Sequence, residues 1–105
     1  MHANISNALR YKIYRRDGFR CALCDCTRGL QIHHMLERGR GGKACEYNLI
    51  TLCSYCHSHI HGRPLYDTPM TAEDVQQAAL EYLCDFYAGD DAFERYMLDT
   101  YAVPP

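Results

Sequence analysis

Most of the histidines and cysteines in this chain fall into groups whose spacing suits a metal ion. Cys21 and Cys24 form one C-x-x-C, in CALC, and Cys53 and Cys56 form another, in CSYC. Two such pairs about thirty residues apart match a four-cysteine zinc site. A redox C-x-x-C is the competing chemistry, but it calls for one pair rather than two. The histidines are grouped as tightly. His33 and His34 are adjacent, and His57, His59 and His61 follow the second cysteine pair. Residues four apart on a helix share a face, so His57 and His61 can hold one ion while His59 points elsewhere. A third ligand must come from another element, and His33 or His34 offers it. Neighbours on a strand face opposite ways, so one of the two is free for other chemistry.

These residues need elements to position them. SNALRYKIYRRDG reads as a helix with Ser6 as N-cap, Ala8, Leu9, Ile13 and Tyr14 on its apolar side, and Gly18 at its end. Arg10, Lys12, Arg15 and Arg16 fall within two turns of it. Such a cluster is either a solvated face or, beside a metal centre, a set of phosphate contacts. CALC makes a tight knuckle, LQIHH and NLITLC read as short strands, and RGRGG is the turn between them. SYCHSHIHG reads as a helix closed by Gly62, with Cys53 and Cys56 at its start. Knuckle, hairpin and helix in that order make a treble-clef zinc finger. Beyond RPLYDTP, Thr71 and Asp74 form a variant capping box before a helix striped with Val75, Ala79, Tyr82, Leu83 and Phe86. A second helix carries Phe93, Tyr96 and Met97 on one side and ends at prolines. Both stripes read as core packing. His2 and His59 read as ordinary surface or hydrogen-bonded histidines.

The whole chain, residues 1–105, is expected to be one small α+β domain bound to zinc. Seven cysteines is an odd number, which argues against a closed disulfide framework. No apolar run is long enough to span a membrane, and the first sixteen residues lack the apolar stretch of a signal peptide. The expected location is therefore the cytoplasm, where thiols stay reduced. Charge divides along the sequence. Residues 1–63 hold ten Lys and Arg against four acids, whereas residues 64–105 hold one Arg against nine acids. The basic part suits a polyanion. The acidic part is a solvated surface, a site for a protein partner, or a screen against the basic part.

HH, RGRGG and NLITLCSYCHSHIH together resemble the HNH endonucleases, also called ββα-metal nucleases. In particular it resembles their small, often phage-borne type, in which two C-x-x-C pairs hold a structural zinc. The resemblance covers about residues 14–62 and leaves residues 64–105 outside. It implies a treble-clef ββα-metal core preceded by the basic helix and followed by two helices. It makes His33 a ligand of the catalytic ion with His57 and His61, and His34 the general base. Asn48 would tie down the hairpin loop and orient that base. Many relatives carry aspartate at the position of His33. Three imidazoles suit Zn²⁺, Ni²⁺, Co²⁺ or Mn²⁺ better than Mg²⁺, which prefers oxygen. The implied reaction is hydrolysis of DNA phosphodiester bonds, giving a 5′-phosphate and a 3′-hydroxyl, with Arg38 and Arg40 adding charge near the phosphate. One such site cuts one strand, so a double-strand break would need a dimer or successive events. Two rivals remain: a zinc-stabilised nucleic-acid-binding module without catalysis, and an accessory subunit of a phage DNA-processing machine. The first has no need of His34 or Asn48.

Overall fold

Ser6 begins the first helix, α1 (Asn7–Arg16), by accepting a hydrogen bond from the Leu9 amide at 3.1 Å. The structure is a computed structural model that describes residues 5–101. His2 and the prolines expected to close the last helix, Pro104 and Pro105, lie outside these residues. After the cysteine knuckle come strand β1 (Gln31–His34), a loop, and strand β2 (Leu49–Leu52). Two 3₁₀ turns, Arg38–Arg40 and Glu46–Asn48, shape the loop. The strands pair antiparallel, with His34 opposite Leu49 and His33 opposite Ile50. Helix α2 (Ser54–Ile60) follows directly, then α3 (Ala72–Phe86) and α4 (Asp91–Tyr101).

Every residue of β2 is buried. Ile50 and Leu52 join Cys21, Met35, Cys53 and Ile60 in a hydrophobic cluster that also contains Val75, Ala79 and Leu83 of α3 and Phe93 of α4. The C-terminal helices therefore share one core with the ββα unit. α3 opens with a complete capping box, the Thr71 amide donating to Asp74 and the Asp74 amide to Thr71.

Two expectations fail, each for a reason local sequence does not carry. Phe86, expected in the core stripe of α3, is exposed, and Tyr87 is buried in its place. The step of four that links Val75, Ala79 and Leu83 leads on to Tyr87, whereas Phe86 falls short of that face. Arg16, expected at a phosphate, is an internal strut. Its side chain is 6% exposed and forms a two-bonded ion pair with the fully buried carboxylate of Asp17, at 2.7 and 3.0 Å. It also donates to the carbonyls of Glu46 and Leu49, both at 2.7 Å, and to the Tyr87 hydroxyl at 3.1 Å. Asp17 in turn accepts the Thr51 amide and the Tyr82 hydroxyl, both at 2.9 Å. α1 is thus bonded through two buried charges to β2, the second 3₁₀ turn and α3.

Candidate metal centres

Cys53 is the N-cap of α2, and its sulfur accepts from the Cys56 amide at 3.5 Å. Facing it, the knuckle is closed by bonds from the Cys21 amide to the Cys26 carbonyl and from the Asp25 amide to the Cys21 carbonyl. The Ala22 amide donates to the carbonyl of Thr51, which fastens the knuckle to β2. The ligand atoms of Cys21, Cys24, Cys53 and Cys56 all lie within 4.8 Å of one another. Cys24 and Cys53 sulfurs are 3.6 Å apart, close to the roughly 3.8 Å between two sulfurs bound at about 2.3 Å to a tetrahedral zinc. Protons are unevenly held: a hydrogen bond from Cys56 brings Cys21 down to about 4, while the same bond drives Cys56 up. Sulfurs this close cannot all be thiolates without a cation among them. The donor set fits zinc. Cys26 stands outside the group, its sulfur 3.8 Å from the Arg28 carbonyl, and Cys45 and Cys84 are separate free thiols.

A second convergence lies at the other end of α2. The ligand nitrogens of His33, His57 and His61 also gather within 4.8 Å. His57 Nε2 and His61 Nε2 are 3.3 Å apart, the spacing expected of two nitrogens held at about 2.05 Å on one tetrahedral ion. His33 is buried, and its Nε2 has no hydrogen-bond partner among the described residues. Burial, reinforced by His57 and His61, brings its pKa down to about 3, so the ring is the neutral, ligating form. An orphaned buried nitrogen facing two imidazoles is what a metal ligand looks like before its bond is drawn.

His34, next along β1, contributes to neither cluster. It lines a cleft of about 300 Å³ with His33 and His61, and its Nε2 also lacks a partner among the described residues. Burial first, then the charge of Arg38, lowers its pKa and favours neutral imidazole. Asn48, fully buried, locks the loop behind it. Its side-chain oxygen accepts the Leu36 amide at 2.8 Å, and its amide nitrogen donates to the carbonyls of Leu36 and Lys43 at 3.0 and 2.9 Å. Its own carbonyl takes the Met35 amide at 2.8 Å. Gly42 permits this packing, since a Cβ there would meet the Leu36 carbonyl oxygen at 1.8 Å. Arg40 lines the cleft with His34, and Arg38 lines an adjoining hollow. Glu37, Gln76 and Tyr101 also line the cleft, and no spacing pattern in the sequence singles them out. Of the basic residues on α1, Arg15 and Lys12 are exposed, Lys12 paired with Glu46 at 2.8 Å, and Arg10 is half-buried. His59 is buried and bonded to the Met70 carbonyl at 2.8 Å, an ordinary structural histidine.

Residues 21–63 match the family model of the HNH endonucleases. This segment is similar to HNH domains. The match contains both cysteine pairs, the three converging histidines, His34 and Asn48, and it begins after α1, which the resemblance had partly included. No curated protein and no solved structure matches the chain significantly. An HNH domain implies a nuclease-like, metal-dependent chemistry on nucleic acid, and the cysteine cluster beside it fits a structural metal. Among the described residues no helix is long and apolar enough to cross a membrane.

Proposed function

We propose that the protein is a metal-dependent endonuclease that hydrolyses DNA phosphodiester bonds, with His33, His57 and His61 holding the catalytic ion and His34 acting as general base. The observation that carries this reading is His34, whose Nε2 has no hydrogen-bond partner among the described residues, lining a hollow together with the three converging imidazoles of His33, His57 and His61. A divalent ion in that cage supplies Lewis-acid stabilisation of charge on the phosphate and on the departing 3′ oxygen. His34 takes a proton from water, the water oxygen attacks phosphorus, and the bond from phosphorus to O3′ breaks as O3′ takes a proton from solvent water. The products are a 5′-phosphate and a 3′-hydroxyl. Asn48 acts through the loop it ties, keeping the end of β1 and hence His34 in place. Arg40, and Arg38 beside it, contribute positive charge along the scissile strand. Three imidazoles favour Zn²⁺, Ni²⁺, Co²⁺ or Mn²⁺ over Mg²⁺.

The test is nicking of supercoiled plasmid across a series of divalent ions, comparing the parent with His34→Ala. Cleavage by the parent and its loss in the folded, metal-loaded variant support the assignment. A parent that binds DNA but never cuts it under any ion would return the protein to the non-catalytic zinc-module reading.

A further inference from the structure

The cleft holding His33 and His34 is not built from the HNH segment alone. Gln76 of α3 and Tyr101 of α4 line it too, both outside the matched residues. They arrive there by a rigid route. Gln76 donates from its side-chain amide to the Met35 carbonyl at 3.3 Å, one residue beyond His34. α4 is anchored by Phe93, which is buried, stacks on Tyr87 at 5.1 Å with an interplanar angle of 20°, and meets Tyr47 edge-on at 5.6 Å. Tyr47 immediately precedes Asn48, so the helix bearing Tyr101 is keyed to the turn that locks the catalytic loop. Tyr101 itself is 40% exposed. It therefore presents an aromatic surface to the cleft rather than closing the core.

We propose that Tyr101 is a specificity-determining residue that stacks on an unpaired nucleotide beside the scissile phosphate. The preferred substrate is then DNA with at least one unstacked base at the cut site. This rests on the nuclease reading for the location of the scissile phosphate. Two physical points lead to it. A cleft of about 300 Å³ sits at the small end of ligand sites and accommodates one nucleotide unit rather than a duplex. An intact duplex also keeps its base faces buried against one another, leaving an aromatic wall nothing to stack on. Stacking tolerates any base, so the selectivity is for structure rather than sequence.

The experiment uses the zinc-loaded full chain with one DNA sequence in three forms: single strand, intact duplex, and duplex with a small central bubble. Cleavage rates and the binding of fluorescein-labelled DNA are both measured. The single strand and the bubble should be favoured over the duplex. Tyr101→Leu, which keeps apolar bulk but removes the ring, should cut that preference by about 5- to 150-fold, the range for one lost base stack. Tyr101→Phe should retain it. A duplex handled as well as the unpaired forms, or a Leu variant with the parent's preference, overturns the proposal while leaving the nuclease reading intact. If no form is cleaved with zinc or with Ni²⁺, Co²⁺ or Mn²⁺ added, the nuclease reading fails by itself, and the binding preference with its Leu and Phe variants still decides the role of Tyr101.

Discussion

At the scale of single residues, the sequence is most legible where chemistry demands a fixed spacing. Spacing alone offers Cys21, Cys24, Cys53, Cys56, His57 and His61, with His33 or His34 as a third imidazole, and the structure gathers the four cysteines in one cluster and His33 with His57 and His61 in another. The family pattern, rather than geometry, gives His33 and His34 their separate expected roles and marks Asn48. Two expectations follow. His34→Ala should keep its metal and fold and lose about 10²-fold or more of its cleavage rate, whereas His33→Ala should raise the concentration of divalent ion needed for activity. If excess ion rescued the His34 variant and not the His33 variant, the two roles would be reversed. Asn48→Ala strands the Leu36 amide and two loop carbonyls in a buried position, at about 1–3 kcal/mol for each group left unsatisfied. It should lower the melting temperature and the turnover rate together while zinc content stays constant, as read by calorimetry and metal analysis.

At the scale of elements, sequence reading located each helix and strand but not which residues the elements use on one another. Arg16 shows why. Among four basic residues within two turns, nothing local distinguishes the one whose partners are Asp17, two carbonyls far along the chain and Tyr87. Burial of a charge is decided by the tertiary neighbours that satisfy it. Asp17→Ala leaves the guanidinium buried without its counter-charge and should cost about 3–5 kcal/mol in denaturant unfolding, more than Arg15→Ala on the same helix. The Glu46 carboxylate adds a dependence on pH. Burial works to raise its pKa, but hydrogen bonds from Lys12 and Tyr87 outweigh that and hold it below the usual carboxylate range. A carboxylate with a depressed folded pKa contributes stability above its unfolded pKa and loses it as pH falls through the folded value. Melting temperature should thus fall below roughly pH 4.5 in the parent and fall less steeply in Glu46→Gln.

At the scale of the whole molecule, the acidic C-terminal part is woven into the core rather than laid over the basic half. Phe93 is buried and Met97 packs beside it, so removing residues 90–105 should destabilise the domain rather than tighten DNA binding. Salt titration checks the other half. Arg15→Ala should reduce the log–log slope of DNA affinity by roughly 0.9 if it contacts a phosphate, and Arg16, sealed inside, should contribute no contact of its own. The wall formed by Gln76 and Tyr101 was invisible in the sequence because its residues reach the cleft from more than forty positions beyond His33, with no periodic signal to mark them. Cys53→Ser should release zinc and leave the chain unfolded or insoluble, as metal analysis and circular dichroism would show. The shortness of α2 extends that point. Seven residues do not hold a helix in water unaided, yet this one has its first turn in the sulfur cage and presents His57 and, at its cap, His61 to the other site. An order of assembly is the expectation on the proposed function: with the cysteine site filled first and the histidine site after it, cleavage plotted against added zinc in a metal-free preparation should start with a lag of about one equivalent before it rises.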